Sequence, residues 1–340
     1  MLAEFILADS SVNQILFGGL MSQILAREKR FPFPIPYGWF HVAFDDDLAP
    51  GEIKPVRYFG RDLVLWRTES GELHLQDAYC PHLGANFGAG GEVVGEGIKC
   101  PFHHWVFNGA GKVIEIPYAK RLNEKACVRT YPLATRHGVV MAWYHPDGIA
   151  PLYELPFVAE LDDPAYVKPI STAHTIKTCI QEMGENTADG AHFMTVHGHP
   201  GEAEYGNFEF RDHFMIMEST QTFPSSGGPV EGTLKSTSIG FGWAEVRYQT
   251  LIDVCMLTTN VPVDDETVIQ YFHVSYKNPD RDPKIDRIGA AFNKEVNRQL
   301  TDDAFIWENK RYEPAPQLCD GDGPIARYRK WAKQFYTEAV

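Results

Sequence analysis

The sequence contains no apolar run of about 18 residues or more, the length that marks a membrane-spanning helix. The N-terminus lacks a basic stretch followed by an apolar one, so we expect no secretory signal peptide. Basic residues are also scarce, because 31 Lys and Arg stand against 45 Asp and Glu, a net charge of −14. A surface of this sign repels phosphate, which argues against nucleic acid as a partner.

Cysteine is sparse as well, with six residues in a chain of 340. So few cysteines do not make a disulfide scaffold, and we expect free thiols in a reducing, cytoplasmic environment. Four scattered cysteines are expected to be buried free thiols: Cys127, Cys179, Cys255 and Cys319. The other two stand in a pattern that carries chemistry.

These two cysteines lie in the short segments Cys80-Pro-His82 and Cys100-Pro-Phe-His103. Each segment supplies one thiolate and one imidazole. Together they match the ligand set of a Rieske [2Fe–2S] cluster, in which two Cys hold one iron and two His the other. A Cys2His2 zinc site uses the same atoms, but zinc fingers usually group like ligands in sequence. The segments therefore predict a binuclear cluster, with zinc as the alternative.

The local patterns divide the chain into three predicted regions. Residues 1–34 form an N-terminal helical segment, in which residues 11–30 predict a docked helix or, alternatively, an interfacial membrane helix. Residues 35–150 predict a small antiparallel β domain with the two cysteine segments at its tip. Residues 151–340 predict an α+β domain with a half-buried antiparallel sheet.

The predicted elements of the last region are the following. Its strands are residues 208–217, 241–250, 251–261 and 268–276, and its helices are residues 180–197, 282–311 and 325–336.

A second chemical signal lies in the segment that ends at His197. Two imidazoles, His192 and His197, with a nearby carboxylate suit ferrous iron in a 2-His-1-carboxylate site. On a regular helix these two side chains would point about 140° apart. Both can reach one metal only if the helix ends or bulges between them, a distortion that concentrates at functional sites. The alternative is a histidine-bearing surface helix.

The two signals together resemble the oxygenase components of Rieske non-haem iron oxygenases, from about residue 35 to the C-terminus. The family pattern E-N-x2-D-x2-H-x4-H is complete here. The resemblance implies that His192 and His197 bind a catalytic iron and that Asn186 lies near it. It implies that Asp189 links a cluster histidine to an iron histidine across a subunit boundary. It also implies a C-terminal domain of helix-grip type.

In this family the third iron ligand is an aspartate on a late helix, which points to Asp302 or Asp303. Adjacent helical residues point about 100° apart, so only one of the two can face the iron. Asp303 matches the family spacing to Glu308 and shares a helix face with Trp307, which would place the indole beside the metal pocket. We therefore predict Asp303 as the ligand and Asp302 as solvent-facing.

One position departs from the family pattern. Many members have Gly after the second cluster histidine, whereas this chain has His104. We expect His104 to be a packing or interface residue rather than an extra ligand.

Softer motifs near the C-terminus, and Trp143-Tyr-His-Pro146, resemble 3-ketosteroid 9α-hydroxylase oxygenases and their sterol-desaturase relatives. The resemblance implies a terminal monooxygenase that uses O2 to hydroxylate a large apolar substrate such as a steroid. An NAD(P)H-dependent reductase, with flavin and an iron–sulfur centre of its own, would supply single electrons to the cluster. The expected assembly is a head-to-tail homotrimer, in which one subunit's cluster serves its neighbour's iron.

Other functions stay open. A Rieske oxygenase acting on an aromatic compound, as an O-demethylase or ring dioxygenase, would differ chiefly in its pocket. A sterol desaturase would remove a second hydrogen instead of returning a hydroxyl. A Rieske electron carrier would need only the first 150 residues, and the second iron motif argues against it.

Overall fold

The computed structural model describes residues 29–201, 203–223 and 227–337. Most of the predicted helix 11–30, and with it most of the N-terminal segment 1–34, lies outside the described residues. Within the described ranges the protein has mostly antiparallel sheets and a few helices, so the α+β prediction is confirmed.

Strands between residues 38 and 144 form three small antiparallel sheets, with the orders β1-β11-β10, β2-β3-β4-β9 and β5-β6-β7-β8. These strands are β1 (Gly38–Phe44), β2 (Ile53–Tyr58), β3 (Arg61–Arg67), β4 (Leu73–Asp77), β5 (Glu92–Val94), β6 (Gly97–Lys99), β7 (Val106–Asn108), β8 (Val113–Glu115), β9 (Thr130–Tyr131), β10 (Leu133–Arg136) and β11 (Val139–Tyr144). The small sheet β5–β8 lies at the predicted tip of this region, between and after the cysteine segments.

The later strands form one seven-stranded antiparallel sheet with the order β12-β18-β17-β16-β15-β14-β13. Its strands are β12 (Ile170–Ile176), β13 (Glu204–Arg211), β14 (Phe214–Phe223), β15 (Val230–Ile239), β16 (Trp243–Gln249), β17 (Asp253–Asp264) and β18 (Thr267–Tyr276).

The helices lie mainly around this large sheet. They are α1 (Ala159–Asp162), α2 (Ile180–Glu185), α3 (Ala191–Thr195), α4 (Pro283–Asn309) and α5 (Ile325–Ala332), with 3-10 turns at Asp45–Asp47, Asn186–Ala188 and Lys333–Phe335. In the part of the chain that the structure describes, no helix combines the length and apolar character needed to cross a bilayer.

Helix α4 is the element that carries one wall of the site. Its start is set by Asp282, whose side chain accepts a hydrogen bond from the Lys284 backbone N–H at 2.8 Å, followed by Pro283 in the first turn. Gly289 lets the helix approach the sheet, because a Cβ there would lie 2.2 Å from the Tyr276 ring. The buried face of α4 then runs on through Val296 towards the iron-site residues.

One prediction about the large sheet was wrong, and two of its strands were missed. The predicted strand 208–217 is interrupted by a hairpin turn at Asp212, which has a positive φ of 48°. Strands β12 and β15 were not predicted. Both are rich in Ser and Thr, and these small polar residues hide the apolar alternation that marks a half-buried strand.

The two halves of the chain meet along β17. Backbone N–H groups of Phe59 and Gly60 donate to Pro262 and Val263 carbonyl oxygens, both at 2.9 Å. Beside them lies a buried polar chain. His41 Nδ1 contacts Thr259 Oγ1 at 2.8 Å, and Thr259 Oγ1 contacts His273 Nε2 at 3.0 Å. The division into domains at residue 150 stays a prediction.

None of the six cysteines, all of which lie in the described ranges, forms a disulfide. Cys179 and Cys255 are buried as expected, but the expectation was wrong for Cys127 and Cys319, which are exposed. Both exposed residues lie outside the regular strands and helices, where apolar burial is not required. The cytoplasmic location that the free thiols suggested stays a prediction.

Candidate metal sites and substrate cavity

The two cysteine segments form matching loops, one between β4 and β5 and one between β6 and β7. In each loop the cysteine carbonyl oxygen accepts a hydrogen bond from the residue four positions later. Gly84 donates to Cys80 at 2.9 Å, and His104 donates to Cys100 at 3.1 Å. Both donors have a positive φ, 77° for Gly84 and 58° for His104.

The positive φ at His104 is a conformation that glycine adopts without strain, which fits the Gly expected there from the resemblance. The His104 side chain is exposed, so it is not a packing residue within this chain. That it serves an interface stays a prediction.

The four predicted cluster ligands come together between the loops. Cys80 and Cys100 are each 2 % exposed, whereas His82 and His103 lie half-buried at the rim. The two imidazole rings are 4.6 Å apart between centroids, and His82 stacks on the Trp105 indole at 4.4 Å. The thiols thus lie inside and the imidazoles outside.

The chemistry of this donor set fits a [2Fe–2S] cluster. Burial raises the pKa of Cys80 to about 11, with the neighbouring Cys100 thiol adding to the shift, so a thiolate there calls for a metal cation. The buried Nδ1 of His103 has no hydrogen-bond partner among the described residues, as expected of an atom that serves as a ligand.

The second site is formed at the broken end of a helix. The predicted helix 180–197 is interrupted at Asp189 and Gly190, and α3 ends at Thr195. His197 N–H donates to the His192 carbonyl oxygen at 3.3 Å, so the chain turns after α3 and brings both imidazoles to one side. The helix therefore does end between the two histidines, as the geometry of a shared metal required.

His192, His197 and Asp303 have side-chain ligand atoms that all lie within 4.8 Å of one another. Both histidines are buried, and His197 Nε2 lies 3.3 Å from Asp303 Oδ1. Burial lowers the pKa of His192, which favours the neutral imidazole that binds metals. The set of two imidazoles and one carboxylate fits ferrous iron.

The two candidate aspartates on α4 have different surroundings. Asp302 pairs with Arg298 at 2.5 Å and is a third exposed, while Asp303 is more deeply buried beside His197. Asp302 also lies 3.9 Å from His197 Nδ1, so it is near the site but on its outer side. Trp307, one helical turn after Asp303, is buried, and both side chains line a cavity next to the two histidines.

Asp189 contacts His192 through its backbone and not its carboxylate. The carbonyl oxygen of Asp189 accepts a hydrogen bond from His192 Nδ1, which leaves Nε2 to face the site. The carboxylate accepts a hydrogen bond from the Ala191 N–H at 3.1 Å and stays half-exposed. A Cβ at Gly190 would lie 2.3 Å from the Tyr205 hydroxyl, so a side chain there would require Tyr205 to move.

The residues around this loop are held by the C-terminal part of the chain. Glu185, the first residue of the iron motif, forms two hydrogen bonds with Arg329 of α5, at 2.6 and 3.0 Å. Gly323 approaches the Ala188 carbonyl so closely that a Cβ would lie 1.9 Å from its oxygen. The sequence alone did not indicate this support, since the partners are far apart in the chain.

A mostly apolar cavity of about 190 Å³ adjoins the three candidate ligands. A larger cavity of about 850 Å³ lies next to it along α4, and four residues line both cavities: His197, Tyr248, Val296 and Gln299. Asn186, predicted to lie near the iron, lines the smaller cavity. Its apolar wall includes Met215, Met217, Leu234, Phe241, Trp243, Val246, Met256, Phe272, Leu300 and Trp307.

Comparison with known proteins agrees with both sites. Residues 38–132 match the Rieske [2Fe-2S] domain, and residues 142–336 match the 3-ketosteroid 9alpha-hydroxylase C-terminal domain. The chain is 32 % identical to cholesterol 7-desaturase of Caenorhabditis elegans, over 93 % of this chain and 80 % of that protein. It is 30 % identical to a probable 3-ketosteroid-9-alpha-monooxygenase oxygenase component of Rhodococcus rhodochrous, over 88 % and 80 %.

Solved structures share the fold. Dicamba monooxygenase bound to dicamba superposes with a TM-score of 0.70 at 17 % identity, over 88 % of this chain and 96 % of that chain. A protein of Pseudomonas putida CBB5, NdmB, has a TM-score of 0.69 at 18 % identity, over 91 % and 92 %.

Proposed function

The chain belongs to the Rieske oxygenases that carry the 3-ketosteroid 9α-hydroxylase C-terminal domain, and from this membership we propose which residues act and on what. It is an iron-dependent monooxygenase with a Rieske [2Fe–2S] cluster and a mononuclear iron. As the terminal oxygenase component of a multicomponent system, it takes electrons from a reductase and uses O2.

We assign each metal group to the residues that the fold gathers. The cluster ligands would be Cys80, His82, Cys100 and His103, and the iron ligands His192, His197 and Asp303. When bound, the cluster supplies electrons singly and the iron supplies activation of O2 for attack on an unactivated C–H bond. The Asp189 carbonyl orients the His192 ring, and the apolar wall with Trp307 holds the substrate and excludes water.

We propose that the substrate is a steroid and the reaction a hydroxylation. The observation that carries this proposal is the convergence of three ligand atoms, within 4.8 Å, on the wall of a mostly apolar cavity that adjoins a larger one along α4. An elongated fused-ring molecule could place one carbon near the iron ligands and extend along α4. The proteins named as 3-ketosteroid monooxygenases among its relatives support the same substrate class.

The test is turnover of the reconstituted enzyme with a panel of steroids and of aromatic ethers, with products identified by mass spectrometry. Hydroxylated steroids are the expected products. Turnover confined to the aromatic ethers would contradict the proposal and favour an O-demethylase. Loss of two hydrogens from a sterol, without added oxygen, would instead indicate desaturation, which the cholesterol 7-desaturase relatives make the second candidate.

We further propose a reductase that contains flavin and an iron–sulfur centre. NAD(P)H gives up two electrons together as hydride, whereas a [2Fe–2S] cluster accepts one, so a carrier must divide the pair. Reconstitution with a reductase of this composition should support turnover, and the same reductase without its flavin should not.

We also propose a head-to-tail homotrimer in which electrons cross between subunits. Two observations support it. The cluster loops expose the large apolar side chains of Leu83 and Phe102, and Tyr118, whose ring lies 6.3 Å from that of His103, is exposed as well. The Asp189 carboxylate is half-exposed beside the iron ligands. A neighbour's cluster histidine could therefore donate a hydrogen bond to Asp189.

Mixed assemblies provide the test. Chains with Cys100→Ala would lack the cluster, and chains with Asp303→Ala would lack the iron, so each alone should be inactive. Co-assembled chains should regain part of the activity if a cluster serves its neighbour's iron. A mixed assembly that contains both chains and stays inactive would contradict transfer between subunits.

A further inference from the structure

Two amide side chains face the substrate cavity from adjacent strands. Asn260 of β17 and Gln270 of β18 are direct cross-strand partners, which places their Cβ atoms about 5 Å apart. Each is only 9 % exposed, and both line the smaller cavity, as do His192, His197 and Asp303. They form a polar patch in a mostly apolar wall.

The orientation of the Asn260 amide is determined by its surroundings. Its Nδ2 donates a hydrogen bond to the Phe241 carbonyl oxygen at 2.9 Å, so Oδ1 cannot exchange places with Nδ2 without losing that bond. Oδ1 is buried, and no hydrogen-bond donor among the described residues reaches it. The Oε1 atom of Gln270 is also buried and also lacks a hydrogen-bond donor among the described residues. A buried acceptor without a donor is unfavourable and calls for one from a ligand.

We propose that Asn260 Oδ1 accepts a hydrogen bond from a ring hydroxyl of the substrate, so that the site selects a steroid alcohol over the corresponding ketone. This inference rests on the proposed steroid oxygenase function. A hydroxyl can donate to Oδ1, whereas a ketone oxygen only accepts and would face Oδ1 with a second acceptor. Any water bound there in the free enzyme would be replaced by the hydroxyl.

Four other polar residues of the wall do not discriminate in this way. Thr258, Ser236 and Ser238 also line the cavity, but a hydroxyl rotates and can donate or accept. No hydrogen bond to another described residue holds the Nε2 end of the Gln270 amide, so this amide can turn to offer a donor or an acceptor. We assign the preference to Asn260, because its acceptor atom is buried without a donor and its amide is held in one orientation.

The test compares two steroids that differ only at C3, 5α-androstan-3β-ol and 5α-androstan-3-one. Calorimetric titration of the holoenzyme should give a Kd at least about tenfold lower for the alcohol, since a buried acceptor gains a donor only there. Equal affinities, or tighter binding of the ketone, would overturn the inference and leave the steroid function standing. Binding of neither compound would overturn both.

A variant pair then assigns the effect to one side chain. Asn260→Leu should weaken binding of the alcohol about tenfold and leave the ketone unchanged, which removes the preference. Asn207→Leu is the control. It makes the same replacement at an exposed position of β13 and should leave the preference for the alcohol intact. A folded Asn260→Leu protein that still prefers the alcohol would contradict the assignment, and the wild-type comparison decides the inference even if this variant does not fold.

Discussion

The two metal sites of this chain are built in opposite ways. The cluster site draws its four candidate ligands from two neighbouring loops, with the cysteines inside and the histidines at a surface rim. The iron site draws on the α3 region and on α4, about a hundred residues later, and encloses its ligands beside an apolar cavity. The first suits contact with another surface, and the second suits exclusion of water from a substrate.

The comparison also shows what each site depends on. The loops of the cluster site close on themselves, through hydrogen bonds between residues four positions apart. The iron site depends on tertiary support, namely the Glu185–Arg329 pair and the close approach of Gly323 to Ala188. We therefore expect the two sites to respond independently to substitution.

The largest expected effect is at the iron site. Asp303→Ala should remove the mononuclear iron and lower turnover at least about 100-fold, because the loss of a direct ligand exceeds the loss of an outer partner. The cluster should be retained, since its four candidate ligands lie in the loops after β4 and β6 and none of them is on α4. Metal analysis together with the visible absorbance of the cluster measures both.

Asp302→Ala is the matched control on the same helix. It removes an exposed pair with Arg298, which contributes at most about 1 kcal/mol, and should leave iron content and turnover nearly unchanged. If Asp302→Ala lost the iron and Asp303→Ala kept it, the assignment of the third ligand would be reversed.

The difference between a local cluster site and an iron site that depends on tertiary support also determines how much of each site the sequence could predict. The cluster motif is local, so residue spacing was sufficient to propose all four ligands. Asp303 could be chosen over Asp302 only by family spacing and the helix face shared with Trp307. The support from Arg329 and the cavity-facing amides of Asn260 and Gln270 needed the fold, because strand pairing brings them together and their types alone carry no such signal.

The next largest effect is expected at Asp189, the proposed link between the cluster of one subunit and the iron site of its neighbour. Asp189→Ala should keep both metals but lower turnover by about 10- to 100-fold, the range seen when a partner of a metal ligand is lost. His192 should stay oriented, because its hydrogen bond goes to the Asp189 backbone carbonyl, which Ala retains. Rapid-mixing measurement of cluster reoxidation with substrate bound would locate the defect.

Asp189→Asn is the control for charge. It keeps a side-chain oxygen for the Ala191 N–H but removes the negative charge. If Asp189→Asn is fully active, the carboxylate charge is not needed. Full activity of Asp189→Ala would remove the proposed bridge altogether.

A smaller effect is expected where the two halves meet. Burial, with the neighbouring His273, lowers the pKa of His41 to about 3, and burial lowers that of His273 to about 4. Both are neutral in the folded state, whereas in the unfolded chain they bind protons below about pH 6.5. The contribution of the two histidines to the free energy of unfolding is therefore fully present above about pH 6.5 and is lost as the pH decreases towards 4. The loss is up to about 1.4 kcal/mol per pH unit for each histidine.

Denaturant unfolding of wild type and His41→Asn between about pH 7 and pH 4.5 measures this contribution. The variant should lose stability at pH 7, because the contact with Thr259 changes, but its stability should depend less steeply on pH. The metal ligands titrate in both proteins, so they cancel in the difference. Equal slopes for the two proteins would contradict a buried neutral His41.

The smallest effect tests the symmetry of the two cluster loops. His104 and Gly84 occupy matching positions with φ of 58° and 77°, but only Gly84 is unstrained there. His104→Gly should therefore stabilise the isolated chain by up to about 1 kcal/mol, and Gly84→Ala, whose Cβ would meet nothing within 4 Å, should destabilise it by a similar amount. Thermal unfolding with the cluster bound measures both. If His104→Gly instead weakens the assembly while Gly84→Ala behaves as expected, the exposed imidazole serves the predicted subunit interface, and the strain is retained for that contact.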